Sequence, residues 1–589
     1  WLFFFFLAGS GNYTYSATFA NVAADLVGTH ANMSVGFWDG TAWSQIPNII
    51  ATPGMAIGAN SQFTARLGGR AVMGRTAAPA GTTYTWLPTS GTHDFNDPSK
   101  WSPARNTAFT TDILQFSSGG TSTAINVPTQ TVTRVLVSGS TDISLQSNAA
   151  ATFTINGPTA TTNLSIASGS NLQVSNNAST TTLLLNFGAT TGQLGNIAGT
   201  LKVNLNGTFT TTAANPVTFA AGGTYIHDIN GGTIPTGAVW NATSTLNITG
   251  ITTTNPANFA GNYGNIVWNC ISTQSATGVL TGVATLAGNL TVTSGTFSLS
   301  TFVLNVAGNV VNNGNFGSTT GTLVMNGTVA QTISGSGTWI GNVTGALSGL
   351  TINNAAGVAM NSSCALQNSL TLTSGILSGT GTLTLGVGNT STLTANITSG
   401  SLNPALAMDY NLFNVTYNLT YTGTGIYNSS GELPPLSTTA PLAGTMTITG
   451  GSTIVLTNDA LVFNTTINTG VNNILRLNGK TLRMWGTFAN NALTVNTMGL
   501  DATIANSKLS FVGNTAQNIT FGNQTFSAVI TAPDLDINNT FSGIGASGGQ
   551  NVSGTGTVRN VNVLSGGFLQ IASITLNVTG NITNNGTIM

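Results

Sequence analysis

Short runs in which apolar residues alternate with Thr, Ser or Asn fill most of this chain, each closed by a Gly- or Asn-containing pair. That pattern leaves few folds open. Leu290-Thr-Val-Thr293, Leu370-Thr-Leu-Thr373 and Leu201-Lys-Val-Asn-Leu205 are examples. A period of two sends one set of side chains inward and the other outward on a strand. Thr and Val suit strands, where β-branched side chains pack on the pleated surface. The separating Ser-Gly, Asn-Gly, Gly-Asn and Gly-Thr pairs form turns, because Gly and Asn tolerate positive φ. No apolar period of 3.6 residues is sustained, so almost no helix is expected.

The runs belong to longer repeats. Leu290-Thr-Val-Thr-Ser-Gly295-Thr-Phe-Ser-Leu299, followed by Leu304-Asn-Val-Ala-Gly308-Asn-Val-Val-Asn-Asn-Gly314, returns as Val561-Asn-Val-Leu-Ser-Gly566-Gly-Phe-Leu569 and Leu576-Asn-Val-Thr-Gly580-Asn-Ile-Thr-Asn-Asn-Gly586. A partial copy is Leu370-Thr-Leu-Thr-Ser-Gly375. A second motif pairs Leu323-Val-Met-Asn-Gly327-Thr-Val-Ala-Gln331 with Leu509-Ser-Phe-Val-Gly513-Asn-Thr-Ala-Gln517. A third pairs Leu350-Thr-Ile-Asn-Asn354 with Leu535-Asp-Ile-Asn-Asn539. The second, third and Ser-Gly motifs follow one another in that order both times, the first time with a Ser-Gly motif on the other side as well.

One coil of this kind cannot bury its apolar face alone; stacked coils share a continuous core. Coils would lie ~4.8 Å apart. At roughly 20 to 25 residues each, they give on the order of 20 coils and a rod roughly 100 Å long. Inward Asn side chains at the turns are expected to form ladders. A string of small β-sandwiches is the alternative, but sandwiches close as longer, separate modules. The fold class expected is all-β: a parallel β-solenoid, or β-helix, rod preceded by a partial β-sandwich module.

Residues 1–80 read as the C-terminal part of that sandwich, on the motif Val35-Gly-Phe-Trp38-Asp-Gly-Thr-Ala-Trp43 and on Arg66, Arg70 and Arg75. Residues 81–130 read as a capping segment. There Tyr84-Thr-Trp86, Asp97-Pro-Ser-Lys-Trp101-Ser-Pro103 and Asp112-Ile-Leu-Gln-Phe116 supply an apolar plug for the open end of a solenoid, which needs cover. Residues 131–589 are the repeat solenoid. An irregular insertion near 409–441 contains Glu432-Leu-Pro434-Pro435, since prolines interrupt pairing. The apolar run Trp1 to Ala8 is too short for a bilayer, which takes ~20 residues. It reads as a buried strand, with the remnant of a signal segment as the alternative. No other stretch looks membrane-spanning. A start at Trp1 and a stop at Met589 inside a repeat lead us to expect a longer protein.

Composition narrows the function classes. Of the 589 residues 4% are charged, against roughly 25% in ordinary globular proteins. The formal net charge is −1 and the mean hydropathy +0.23, so disorder is not expected. Twelve Lys and Arg cannot build a phosphate-tracking stripe, which argues against nucleic acid, and no basic cluster points to anionic lipid. Hydroxyls, amides and any attached glycans must keep such a surface soluble. Cys270 and Cys364 read as two unpaired small apolar residues, with a bridge as the alternative.

The Trp38-to-Trp43 motif and the Tyr84-to-Phe116 segment resemble parts of large, secreted, repeat-rich surface proteins of Bacteroidetes. So do the blocks Gly223-Thr-Tyr-Ile-His227, Ile234-Pro-Thr-Gly-Ala-Val-Trp240-Asn and Gly264-Asn-Ile-Val-Trp268-Asn-Cys270. The resemblance implies export by the type IX secretion system and a role in adhesion, gliding or surface coats. The C-terminal sorting domain typical of such proteins is not seen in this sequence. The resemblance supplies no catalytic residue.

Chemistry has little to work with. Residues 229–408 contain no Asp, Glu, Lys, Arg or His, so the clustered carboxylates of polysaccharide lyases and hydrolases are not expected there. His93, Asp94 and Asp97 are the best constellation, yet they lack a second His or Cys at metal-ligand spacing, and a polar loop beside the two Trp is the simpler reading. Asp534 and Asp536 would share a strand face. With no basic partner nearby in sequence they are read as a solvated pair, or else a cation site. His227-Asp228 reads as a hydrogen-bonded loop pair, and His30 stands alone. Nothing is assigned as catalytic, cofactor-binding or metal-binding. The expectation is a non-enzymatic extracellular adhesin, stalk or filament subunit, with surface glycans or self-association into fibres as partners. The alternatives are a carbohydrate-active β-helix, with its site near 84–116 or outside this sequence, and an ice-binding solenoid. For the last, Thr371/Thr373 and Thr291/Thr293 fit, but the repeats vary too much to promise an array.

Overall fold

The computed structural model describes residues 81–589 apart from 177–181, 189, 341–345, 389–390, 439–442, 471, 492–498, 522–531, 541–549, 554–555 and 572–574. Before residue 81 it describes the backbone of six strands. Trp1 to Ala8, His30 and Arg66 lie outside the described residues.

From residue 81 onward the strands, Trp101–Ser102 apart, stack in parallel, each on its counterpart one coil earlier. Two long sheets carry this stacking. A first, of 14 strands, runs from Ser90–Asp94 to Ser401–Leu402; a second, of 17 strands, runs from Gly261–Tyr263 to Thr587–Ile588. They overlap between residues 261 and 402, so the column continues from one to the other. Separate closed modules would break both ladders at once. The chain is a parallel β-solenoid, not a string of sandwiches.

The alternation seen in the sequence sorts the side chains. In Leu290–Ser294, Leu290 and Val292 are buried while Thr291 faces out; in Thr200–Asn204, Leu201 and Val203 point in and Lys202 out. The Ser-Gly turns are fixed by backbone conformation. Gly295, Gly375 and Gly566 have φ of 78°, 80° and 80°, the left-handed region where a Cβ is penalised. Inside, Phe297, Phe316 and Trp339 are direct partners on successive coils. Their ring centroids are 5.7 and 5.6 Å apart, within the range of favourable aromatic pairs.

Two expectations need correction. The coils are less uniform than 20 to 25 residues: Thr296 to Asn315 takes 19, Ser144 to Gln173 takes 29. The inward Asn contacts are only part of the pattern: Asn354 and Asn539 are buried and reach Gln331 and Gln517 one coil earlier, while a second set lies at the surface. Asn265, Asn289 and Asn309 form a spine along a surface corner, where each side-chain carbonyl accepts the backbone N–H of a residue one coil on: Asn289 (2.8 Å), Asn309 (2.7 Å) and Thr332 (2.8 Å). The amides satisfy these backbone N–H groups, two before a strand and one, Thr332, within Gln331–Ser334.

The start of the column is aromatic. Trp86 lies 5.0 Å from Trp101 and 6.3 Å from both Phe95 and Phe116, centroid to centroid. Trp101–Ser102 pairs antiparallel with the first strand, Thr83–Trp86. Arg105, which the sequence reading did not single out, lies 5.7–5.8 Å from the ring centroids of Tyr84, Phe95 and Trp101. It bonds Asp112 at 2.8 Å with both side chains buried. Before residue 81 the pairing is antiparallel, in two three-stranded sheets. Trp38 stands opposite Trp43 across one pair.

Candidate functional site

The groups singled out for chemistry do not converge. His93 Nε2 bonds the Ser90 carbonyl at 2.8 Å. The Asp94 carboxylate accepts from the Asn96 N–H and the Asn126 amide, both at 2.8 Å. Asp97 caps the short 3₁₀ turn Pro98–Lys100. His93 and Asp97 organise their own turns, and Asp94 ties its turn to the next coil. His227 and Asp228 are not a loop pair. They are neighbours on the strand Thr224–Asp228 and point to opposite sides. Burial keeps the His227 imidazole neutral by lowering its pKa, and its Nε2–H donates to the Gly231 carbonyl at 2.7 Å. Asp228 faces out and pairs with Lys202 at 2.8 Å.

Asp534 and Asp536 do share a face, but the absence of a basic partner does not hold in space. Stacking brings Arg559 to Asp534 at 2.6 Å and Lys508 to Asp536 at 2.8 Å. Burial alone would raise the Asp534 carboxyl; the hydrogen bonds from Arg559 and Asn560 outweigh it and hold it below the ordinary carboxylate value. Among the described residues no three of His, Cys, Asp or Glu gather as metal ligands. Cys270 and Cys364 are both buried and unpaired.

A different site emerges where the coil is irregular. In the strand Thr416–Tyr421, alternation turns Tyr417, Leu419 and Tyr421 inward. The segment after Ile426–Asn428 folds back over their hydroxyls. Tyr417 donates to the Glu432 carbonyl at 2.7 Å and Tyr421 to the Glu432 carboxylate at 2.8 Å. Tyr410 donates to the Gly431 carbonyl at 2.9 Å, and the Ser430 N–H reaches both carboxylate oxygens at 3.0 Å. Glu432 is buried and has no cation partner among the described residues. Burial pushes its carboxyl above the ordinary value. Burial and the Glu432 charge push the Tyr417 and Tyr421 phenols well up, and Tyr410 up to about 12, so all three remain donors.

Beside this cluster opens a cavity of about 490 Å³ whose lining includes Tyr421, Tyr427, Glu432, Asn428, Asn458 and Ser401. Phenols, amides and hydroxyls over an apolar floor suit a neutral polyhydroxylated ligand. The sequence flagged this stretch through Glu432 and its prolines; the tyrosines were missed, because their convergence depends on stacking. A second lateral cavity of about 440 Å³ lies between Trp240 and Tyr263, where one sheet ends at Ala238–Trp240 and the second long sheet starts at Gly261–Tyr263.

No protein-family model, curated protein or solved structure matches this chain.

Proposed function

We propose that the protein is an extracellular structural and adhesive repeat protein, a cell-surface adhesin, stalk or filament subunit, that acts by reach and surface contact and not by catalysis. The observation that carries this reading is the uninterrupted column, whose outer surface bears hydroxyls and amides where an enzyme would gather ionisable groups. The Tyr421–Tyr427–Glu432 cavity is the place we assign to weak contact with a neutral surface glycan. Export by a type IX machinery belongs to the same proposal and rests on the resemblance of the Trp38-to-Trp43, Tyr84-to-Phe116 and Trp240 segments.

Electron microscopy of the purified chain tests the architecture half: extended rods are expected, and compact globules would sink it. A glycan array tests the contact half. Binding of a neutral glycan that Tyr427→Ala weakens at least tenfold supports it. Binding indifferent to that change, or none, removes the cavity from the proposal.

A further inference from the structure

The variable repeats conceal a regular face. On the second long sheet, Thr371, Asn396, Thr420, Thr447 and Thr466 are direct partners on successive coils. Two residues earlier on the same strands, Ser369 pairs with Thr394, Thr394 with Asn418, and Thr445 with Asn464. Asn418 joins this second column to Thr445 by accepting its backbone N–H at 3.2 Å. Ten outward positions on five coils are thus all Ser, Thr or Asn. The residues between them, among them Leu370, Leu419 and Met446, are buried, so neither column can rotate inward.

Three features of this face bear on what it contacts. The first is its geometry. Strand spacing and two residues of rise make a net of ~4.8 by ~6.6 Å, the scale on which oxygen atoms repeat in ice. β-branched Thr is stiff about χ1, so methyl and hydroxyl repeat with the backbone. The second is hydrogen bonding. Among the described residues no hydroxyl of Thr371, Thr420, Thr447 or Thr466 has a protein partner, and these groups are left to order water. The third is charge. Neither column holds an ion, and the pairs Lys202–Asp228, Arg476–Asp501 and Lys508–Asp536 lie on other sheets. Asp409 is the nearest charge in the second long sheet, on the adjoining strand Ala407–Tyr410. An ion imposes its own hydration shell, so a charge-free net complements a neutral lattice.

We propose that this face binds ice. Water held between the two columns supplies the first layer of the crystal, and the hydroxyls anchor it.

The test uses the full chain, assayed for thermal hysteresis and inhibition of ice recrystallisation. Both activities are expected in the unaltered protein. T420K/T447K should reduce them at least tenfold while circular dichroism and melting temperature stay unchanged. V311K, an outward change on the first long sheet, should leave them intact. If T420K/T447K does not fold, T420V/T447V, which keeps the shape and removes the hydroxyls, should show the loss. Absence of both activities in the unaltered chain overturns the proposal. So does equal activity of folded face variants and the unaltered chain, or a face-dependent adsorption to crystalline cellulose or chitin without any effect on ice.

Discussion

The side-chain amide of Asn354 donates to the side-chain carbonyl of Gln331 one coil earlier, at 2.9 Å, inside the column. Asn539 and Gln517 repeat the contact at 2.7 Å. Both pairs are buried, and they are the final residues of the second and third sequence motifs. Gln331 also accepts from the Gly327 N–H and donates to the Val306 and Gly308 carbonyls; Asn354 donates to the Val329 carbonyl as well. The motifs recur together because each supplies half of a polar pair whose members are costly to bury alone.

Asn354→Ala should therefore cost about 1–3 kcal/mol, the penalty for leaving buried acceptors unmet. Urea unfolding of Asn354→Ala, Gln331→Leu and the double variant checks it. The double should cost less than the sum of the singles, since the two residues share one network.

Arg105 is the only cation touching the aromatic cluster at the start of the column among the described residues. Arg105→Met leaves Asp112 buried, with the Phe109 N–H (3.0 Å) as its remaining donor. The expected loss is about 3–5 kcal/mol, as for breaking a buried ion pair from one side. Hydrogen exchange should show it first in Thr83–Trp86 and Ile113–Phe116.

Glu432 gives stability an unusual pH dependence. Its folded carboxyl holds a proton more tightly than the unfolded one, whose pKa is about 4.3. Below that value the contribution is fully present. As pH rises from there through the raised folded pKa, the unfolded state binds fewer protons than the native state, and stability falls. Glu432→Gln cannot ionise, so its advantage over the parent should grow between pH 4 and pH 8. Urea midpoints at the two pH values measure this; an equal difference at both would refute it.

Burial pushes the Cys270 and Cys364 thiols up to about 11 and about 12, and the thiolate is the reactive form. Neither should react with a thiol reagent at pH 8 in the native state. Both should react after unfolding, and a reductant should leave the melting temperature unchanged. Thiol titration with and without denaturant decides it.

Much of this fold is local information. The alternation of Leu290-Thr-Val-Thr293 sets which side chains are inward, and Gly295, Gly375 and Gly566 mark turns that need positive φ. Because strands with a period of two need only a neighbour of the same kind, the stacked β architecture was readable from residue order alone. Partnership across coils was not. Coils of unequal length leave no fixed period from which to compute who meets whom, so register had to be resolved in three dimensions. Only the stacked structure brought Arg559 to Asp534, gathered Tyr410, Tyr417 and Tyr421 around Glu432, and aligned Thr371, Thr420, Thr447 and Thr466 on one face.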